Sequence, residues 1–470
     1  MIEIINMTII TDQKIHINSN YEGAINSEKG EPIGETLIDY KMWKSDNIQQ
    51  PIYRLPLDYC RYRSENGRIK TETLTYATRA KKLDQFSTAD QKIISGFLEK
   101  SDPSKNEELM KSLKREGQNE PAIITADGFL INGNRRRWAL EKLYEKYSDR
   151  NYKFINVIIL PGTDHPDSPS IVDIALLENR LQVNIDGRSD YTLMNRALTF
   201  RSNVNSGIPL KEMLRDDAAY ADLSEKDFNK DVLKWESSNF GTLELIDEYL
   251  EIYKMKGDYE RIAHRWESFR ELNAKIISNF KNTKFLQSLN QGYTSEDIGE
   301  LKVACYTLIK LKDPTVAKFK RHTDIIREIK GWMGASKKNF LKLADIEDID
   351  DSITNLEDRD RKWQHEKSVE VVKVIKSLQN LEEKKDLQEG PIDRLREALK
   401  KLEHDHLDED QIKRTIDYED LEEAMKISNR IQTVSRDLYS LFSDAQKKHP
   451  KKLKKGKFKL EDFKKQQKSN

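Results

Sequence analysis

The sequence predicts an α+β N-terminal domain, followed by all-α domains and a long helical C-terminal region. Two short apolar runs, at 122–124 and 129–131, flank an Asp127-Gly128 pair, which is typical of a tight antiparallel hairpin. A third apolar run, at 154–160, is typical of a buried strand. After residue 188 the apolar residues recur at helical spacing, and after residue 354 charged residues separate them at heptad-like intervals.

Composition limits the classes of protein to which the chain can belong. It has 470 residues and a formal net charge of zero, so we expect roughly two to four domains and no overall field that attracts nucleic acid. The two cysteines, Cys60 and Cys305, form no C-x-x-C motif, which argues against a disulfide framework or a zinc ribbon. No secretory leader or long apolar run stands out, so we expect a cytoplasmic protein with no membrane contact.

Shifts in composition divide the chain into six predicted segments. They are an irregular N-terminal lead-in at 1–50, an α+β domain at 51–187, a helical segment at 188–256, a helical domain at 257–352, a helical hairpin or coiled coil at 353–446 and a basic tail at 447–470.

Local signals place the elements of the α+β domain in order. The run 52–57 predicts a strand, and 70–100 a helical stretch. Asp102-Pro103 predicts the start of the next helix, because proline suits a first turn, and Gly117 predicts its end. After the hairpin and the buried strand, the pattern at 171–181 predicts a further helix.

The junction between the hairpin and the following helix is the strongest functional signal. Gly133, Asn134, Arg135, Arg136 and Arg137 stand where the second strand ends and a helical pattern begins. A glycine there lets backbone N–H groups approach an anion, and the positive end of the helix points to the same place. Arginine adds fork-shaped donors that suit phosphate oxygens, each bond contributing about 1.5–3 kcal/mol. The alternative is a solvated helix start whose arginines pair with Glu141 and Glu145.

The same stretch resembles the N-terminal domain of the ParB/sulfiredoxin superfamily. That family has a G-x-x-x-P turn, a strand pair and then G-E-R-R-x-R-A opening a helix; here Gly117 to Pro121 and Gly133 to Ala139 match it. Upstream, Leu55-Pro56-Leu57-Asp58 and Asn66-Gly67-Arg68-Ile69 resemble the family's entry strand and arginine turn. Downstream, Leu177 to Gln182 resembles its E-N-x-Q-R box. The resemblance covers about 52–183.

The resemblance implies a binding site for a nucleoside triphosphate of unknown base together with Mg²⁺. The implied nucleotide-binding residues are Arg68, Gly117, Gly133, Asn134, Arg135, Arg136 and Arg137. Glu178 and Asn179 match the pair that contacts the metal in the family, and Glu178 is the expected catalytic residue for slow hydrolysis. Two departures, Asn134 in place of glutamate and Arg180-Leu181-Gln182 in the last box, bear on CTP specificity and on the partition-clamp cycle.

The helical segment after this domain has the order of a helix-turn-helix, as expected after a ParB nucleotide domain. A short helix at 210–214 precedes a capping box at Ser224 that opens a second helix. The predicted outward, DNA-contacting residues of that helix are Lys226, Asn229, Lys230 and Lys234. Acidic neighbours dilute this charge, and a helical linker without DNA contact is the alternative.

Heptad-like apolar stripes dominate the C-terminal region. One runs from Val369 to Leu378 and the other from Leu421 to Leu441, so each packs either within the chain or across a homodimer. We favour a dimer through the second stripe. The lysine-rich tail is either a nucleic-acid contact or a solubilising extension.

The leading hypothesis is therefore a ParB-like protein that couples binding or slow hydrolysis of NTP–Mg²⁺ to DNA engagement. A metal-dependent nuclease or small-molecule kinase of the same superfamily is a second hypothesis, with Glu116, Glu120 and Glu178 as bases or metal ligands. A helical adaptor with a vestigial nucleotide site is a third. Architectures of this kind are associated with phage-defence or mobile-element systems.

Overall fold

The computed structural model describes residues 13–39, 47–183, 192–215, 217–220, 222–349, 352–388, 395, 399 and 418–448. Two compact units divide the chain. The first comprises Met1–Met333 with Lys337–Ile375, and the second comprises Gly334–Ser336 with Lys376–Asn470.

A five-stranded mixed sheet lies in the first unit and confirms the α+β class. Its strands are β1 (Gly34–Asp39), β2 (Asn47–Pro56), β3 (Ala122–Ile124), β4 (Leu130–Asn132) and β5 (Phe154–Ile159). The spatial order is β1-β2-β5-β3-β4; β3 and β5 are parallel and the other pairs are antiparallel. The predicted strands at 52–57 and 154–160 are confirmed as β2 and β5.

Helices account for most of the remaining described chain. They are α1 (Ser19–Glu28), α2 (Lys70–Arg79), α3 (Thr88–Ser101), α4 (Pro103–Glu116), α5 (Asn134–Tyr147), α6 (Ile171–Val183), α7 (Leu193–Asn205), α8 (Leu210–Arg215), α9 (Glu225–Ile252), α10 (Trp266–Leu272), α11 (Thr283–Leu289), α12 (Ile298–Lys310), α13 (His322–Ala335), α14 (Lys337–Leu341), α15 (Leu356–Glu366), α16 (Ser368–Gln388) and α17 (Tyr418–Lys448).

The hairpin between β3 and β4 forms as its sequence predicts. Gly128 has φ +91°, and a side chain there would meet the carbonyl oxygen of Tyr59. The hydroxyl of Thr125 donates to Asp127 at 2.6 Å and accepts from the N–H of Phe129 at 2.9 Å. These bonds fix the turn that brings the end of β4 to the start of α5.

Capping residues explain where several helices begin and end. The carboxylate of Asp102 accepts from the N–H of Lys105, Pro103 occupies the first turn of α4, and Gly117 ends the helix with φ +76°. The hydroxyl of Ser224 accepts from the N–H of Asp227 at the start of α9. These predicted helix boundaries are confirmed.

Two predicted features differ in the structure. The lead-in at 1–50 is not wholly irregular: the side chain of Asn18 caps α1, and β1 adds an edge strand. The helical stretch at 70–100 is divided into α2 and α3. Residues 1–12, which include the apolar run at 2–10, and residues 449–470 of the basic tail lie outside the described residues.

Buried apolar side chains join the sheet to the helices around it. One core cluster includes Leu55 of β2, Ile124 of β3 and Trp138 of α5. A second, with Leu176 of α6 and Phe228 of α9, lies between the α+β part and the helices that follow. The predicted boundaries at 187 and 256 therefore lie within the first unit. Among the described helices, none is both long enough and apolar enough to cross a membrane.

Candidate functional site

The strand-to-helix junction at Gly133 has the geometry expected of an anion site. Gly133 has φ +94°, and a Cβ there would lie 2.5 Å from the Cβ of Ala122 on β3, so the position requires glycine. Helix α5 starts at the next residue with no side-chain cap, and its first turn contains no acidic residue. Three arginines in that turn add positive charge to the positive end of the helix dipole. A bound anion would relieve this unfavourable arrangement.

Arg136 has a buried donor that lacks an acceptor. Its Nη2 donates to Oε2 of Glu120 at 3.2 Å. Its Nη1 is buried and has no hydrogen-bond partner within the described chain. Burial lowers the pKa of Arg136, and the Glu120 carboxylate opposes that shift. A buried donor without an acceptor is costly, so this atom marks where an anionic oxygen would be stabilised.

Arg137 points into the interior. Its guanidinium lies 4.1 Å from the centre of the Tyr62 ring, and its Nε donates to the carbonyl of Leu57 at 3.3 Å. Its Nη1 is 3.6 Å from the Glu141 carboxylate. For this one arginine, the pairing with Glu141 that the alternative interpretation of the helix start predicts is therefore present. Arg137 therefore ties α5 to the segment 57–63, and its predicted phosphate role remains a prediction.

Of the other two residues in the first turn of α5, Asn134 is buried and Arg135 is half-buried. The amide Nδ2 of Asn134 is 3.5 Å from the carbonyl oxygen of Leu130, while its Oδ1 is buried and lacks a partner among the described residues. Arg135 is half-buried and interacts with neighbouring groups.

The turn after Gly117 lies beside the start of α5. The amide of Gln118 bonds to the backbone of Asn156 in both directions, at 2.7 and 2.8 Å, which anchors the turn to β5. Glu120 then reaches Arg136. Gly117 thus ends α4 and positions the turn. The G-x-x-x-P turn and the arginine motif are in contact through Glu120 and Arg136.

The segment 57–69 connects this junction to Glu178. The backbone of Arg61 is hydrogen-bonded to the hairpin. Its backbone N–H donates to the carbonyl oxygen of Gly128 at 2.7 Å, and its carbonyl oxygen accepts from the backbone N–H of Leu130 at 2.9 Å. Two residues later, Nη1 of Arg63 donates to Oε2 of Glu178 at 3.2 Å. The other oxygen of Glu178 accepts from the N–H of Gly67 at 3.3 Å.

Positive groups surround the Glu178 carboxylate. Glu178 is 8% exposed and Lys70, at the start of α2, is 9% exposed. Burial lowers the pKa of Lys70, and Glu65 and Glu178 oppose the shift. Glu178 therefore acts here as the counter-charge of a buried cationic cluster.

Glu178 and Asn179 do not converge on one metal position. Asn179 donates from Nδ2 to the carbonyl of Met213 on α8 at 2.7 Å, whereas Glu178 points to Arg63 and Gly67. Successive residues of a helix point about 100° apart. Among the described residues, no group of three or more His, Cys, Asp or Glu side chains could hold a metal ion. Each of the two side chains thus has its own protein partner in this structure, and the metal role of the pair remains a prediction.

The turn that contains Arg68 is fixed by α7. Asn195 donates from Nδ2 to the carbonyl of Arg68 at 2.6 Å and accepts from the N–H of Thr71 at 2.9 Å. The Arg68 N–H donates to Asn66 Oδ1 at 3.0 Å. The Arg68 side chain is half-buried and has interacting neighbours.

Cys60 lies in this segment but is unsuited to sulfiredoxin-type chemistry. It is fully buried, and burial raises its pKa to about 12, although Arg137 and Arg61 oppose the rise. A thiol must ionise to act as a nucleophile. Cys60 is therefore a core residue.

The four candidate DNA contacts lie on one exposed stretch of α9. Lys226, Asn229, Lys230 and Lys234 are all exposed, as predicted. The neighbouring Glu225 is bound by Arg215 at 3.1 Å, which neutralises part of the acidic charge at the helix start.

Sequence reasoning missed the residues that hold the site together. Arg63, Lys70 and Asn195 act through contacts that span more than a hundred residues, and the only local signal was the density of cations around Gly67. Comparison with protein-family models, curated proteins and solved structures gave no match to this chain.

Proposed function

We propose that this chain is a ParB-like nucleotide-binding protein that couples nucleoside triphosphate binding to DNA engagement. The observation that carries the proposal is the buried, unpartnered Nη1 of Arg136 at an uncapped helix start that bears three arginines. The order of the G-x-x-x-P turn, the hairpin and the arginine helix supports the resemblance to the ParB/sulfiredoxin superfamily.

Phosphate oxygens would bind at the first turn of α5. Arg136 Nη1 and the backbone N–H groups after Gly133 would donate to them, with Arg135 beside them. Each charge-assisted bond contributes about 1.5–3 kcal/mol, so two or three such bonds support micromolar affinity. The buried Oδ1 of Asn134 is an acceptor, which suits a hydroxyl or amino donor of the nucleoside rather than a phosphate.

A thermal-shift panel tests this proposal directly. ATP, CTP, GTP and UTP are each added to the full chain with and without Mg²⁺, and at least one should raise the melting temperature. The Arg135→Ala/Arg136→Ala variant should lose the response. Arg115→Ala, which removes an exposed arginine of α4 paired with Glu116, is the matched control and should respond like the parent. An unchanged response in the double variant would remove the nucleotide assignment.

The Mg²⁺ comparison within that panel tests the predicted metal. If Mg²⁺ is required, the response should vanish on chelation and in Glu178→Gln. A response that is equal with and without Mg²⁺ would assign Glu178 to the cationic cluster alone, and hydrolysis through that residue would be excluded.

A helical adaptor is the second candidate, favoured by the exposed apolar residues of α17. Ile427, Ile431, Val434 and Leu441 are each at least 41% exposed. If no nucleotide shifts the melting temperature and no duplex DNA binds at low salt, this candidate replaces the first. The nuclease and kinase hypotheses remain predictions, checked by Mg²⁺-dependent DNA nicking and by phosphoryl transfer from ATP.

A further inference from the structure

A cavity among the helices of the first unit is lined by more cations than carboxylates. It encloses about 60 Å³ between α9, α12, α15 and the segment at 255–265. By this measure a single water needs about 10–15 Å³, so there is room for roughly four to six waters or one phosphate group. Five of its lining residues are lysine or arginine and two are aspartate.

The carboxylates present are already shared or engaged. Asp348 accepts hydrogen bonds from both Lys310 and Arg359, the latter at 3.1 Å. Asp360 is paired with Lys312 at 2.6 Å. Asp348 is thus shared by Lys310 and Arg359, and Asp360 is paired with Lys312 at the rim of the cavity.

Arg265 adds a positive charge that no carboxylate contacts within the described chain. Its guanidinium donates to the carbonyl oxygens of Leu311 and Lys312 after α12, at 3.0 and 3.4 Å, and to the imidazole nitrogens of two histidines. Because Nε of Arg265 donates to Nε2 of His264 at 3.0 Å, a neutral His264 carries its proton on Nδ1 and is itself a donor. The Arg265 donors are therefore engaged by carbonyl and imidazole acceptors, while its positive charge has no carboxylate in contact within the described residues.

Solvent can reach the cavity from one side. The Lys312 side chain is 62% exposed, whereas Lys310 is 8% exposed and lies 3.8 Å from the centre of the Tyr253 ring. Burial lowers the pKa of Lys310, and Asp348 opposes the shift. A second negative charge in the cavity would stabilise this buried ammonium further.

We propose that this cavity binds a phosphate group, either inorganic phosphate or the phosphate of a small phosphomonoester. A dianion matches the excess of lysine and arginine over carboxylates in the lining, and a tetrahedral oxyanion matches the volume. This site lies outside the α5 junction and does not depend on nucleotide binding there.

Titration calorimetry with inorganic phosphate on the full chain tests the site, at constant ionic strength against chloride. Arg261→Gln with Lys312→Gln removes two lining cations. Arg261 is 19% exposed and paired with Asp258 at 3.2 Å, and Lys312 is at the exposed rim. Arg270→Gln with Lys330→Gln makes the same charge change on exposed residues of α10 and α13 and serves as the control. Loss of a charge-assisted bond corresponds to roughly tenfold weaker binding, so the first pair should weaken phosphate at least about tenfold and the control pair should not.

Further arms separate the sources and the sites. The Arg135→Ala/Arg136→Ala variant removes the α5 junction as a source of phosphate binding. It should still show a saturable phosphate site, and adding Arg261→Gln/Lys312→Gln to it should weaken that site at least about tenfold. AMP binding more tightly than inorganic phosphate would identify a phosphomonoester, and the reverse would identify the free ion. The proposal is overturned if phosphate shows no saturable binding, or if Arg261→Gln/Lys312→Gln binds it as the parent does. Lys312→Gln alone, at the exposed rim, gives the same comparison if the pair fails to fold.

Discussion

The Glu178 carboxylate on α6 is bound by the Arg63 guanidinium at 3.2 Å, across 115 residues of sequence. The two side chains are 11% and 15% exposed, so the pair is largely withdrawn from water. The same carboxylate also accepts from the N–H of Gly67 ahead of α2. A residue that the family resemblance assigns to a metal thus serves here to hold the segment 57–69 against α6.

We expect Glu178→Gln and Arg63→Gln each to lower the free energy of unfolding. Removing one partner of a buried pair costs about 3–5 kcal/mol, and the partial exposure of this pair makes the lower end the expectation. The double variant should be more stable than the sum of the single effects predicts, because each single change leaves a charge unpaired. Urea unfolding of the four proteins measures this coupling.

The exposed Arg115–Glu116 pair is the control for that cycle. Its side chains are 76% and 42% exposed, so its coupling should be at most about 1 kcal/mol. Absence of coupling between positions 63 and 178, together with loss of a Mg²⁺-dependent nucleotide response in Glu178→Gln, would favour the metal role instead.

Two glycines with positive φ test the close packing at the α5 junction. Gly133→Ala places a Cβ 2.5 Å from the Cβ of Ala122, whereas Gly117→Ala meets nothing within 4 Å. Gly133→Ala carries the left-handed backbone strain of about 1–2 kcal/mol and adds a backbone-level steric clash. Gly117→Ala adds no clash and carries only the strain of its own backbone conformation, φ +76° with ψ −162°, which glycine alone adopts readily. Thermal unfolding should therefore show the larger loss for Gly133→Ala. Equal losses would mean that the close approach of α5 to β3 relaxes at no cost.

Local chemistry explains what the sequence predicts correctly. The Asp127-Gly128 turn, the start of α4 at Pro103 and its end at Gly117 each depend on a few neighbouring residues, and all three form as expected. The hairpin and the start of α5 follow from them, so the position of the strand-to-helix junction is predictable from the sequence.

Long-range contacts explain what the sequence does not predict. Gly241 lies within α9 at a position where a side chain would meet the amide of Asn273, which donates to the Ser237 carbonyl at 3.0 Å. Asn18 resembles a turn residue and instead caps α1, since asparagine serves both roles. The burial of Arg137 against Tyr62 has no local signature at all.

The thiol of Cys60 should resist labelling in the folded protein. Burial raises its pKa to about 12 from an ordinary value of 9.0, so almost none is thiolate at pH 8. A thiol reagent should react with neither Cys60 nor the equally buried Cys305 until denaturant is added, and with both afterwards. Because the folded state holds the proton more tightly, this group's contribution to stability is full below pH 9 and declines between about pH 9 and 12. Rapid labelling of native Cys60 would reopen sulfiredoxin-type chemistry.

The exposed lysines of α9 should set part of the salt dependence of DNA binding. Each phosphate contact contributes about −0.9 to the slope of log affinity against log salt, so replacing Lys226, Lys230 and Lys234 by alanine should flatten the slope by about 2.7 if all three engage. Asn229→Ala should instead reduce preference for a specific site, because asparagine reads adenine edges. Fluorescence anisotropy with duplex DNA at several salt concentrations measures both effects.

Alanine at the exposed Lys284, Lys320 and Lys342 provides the matched control for the loss of three charges. If the slope of log affinity against log salt changes equally in the α9 variant and the control variant, the effect comes from net charge and not from contacts of α9 with DNA. An unchanged slope in the α9 variant would leave α9 as a linker helix without DNA contact.

Helix α17 should form a homodimeric coiled coil. Its apolar residues at 424, 427, 431, 434, 438 and 441 alternate at spacings of three and four, and those such as Ile431 and Val434 are 41% exposed in the single chain. A chain ending at Gln388 should scatter light as a monomer while the full chain scatters as a dimer. Ending near Ser352 would also remove Trp363, which is 1% exposed in the first unit, so the later cut is the sharper test.

Substitutions within α17 separate the apolar stripe from the mere presence of the helix. Ile431→Asp with Val434→Asp puts charges into the apolar stripe that forms the predicted dimer seam. This variant should be monomeric, and the structure of its first unit should be unchanged. Thr433→Asp with Ser440→Asp adds the same charge to the outer face of the same helix and should leave the dimer intact. If the seam variant and the outer-face variant have the same mass by light scattering, the stripe does not mediate self-association, and an apolar partner of another kind becomes the expected occupant.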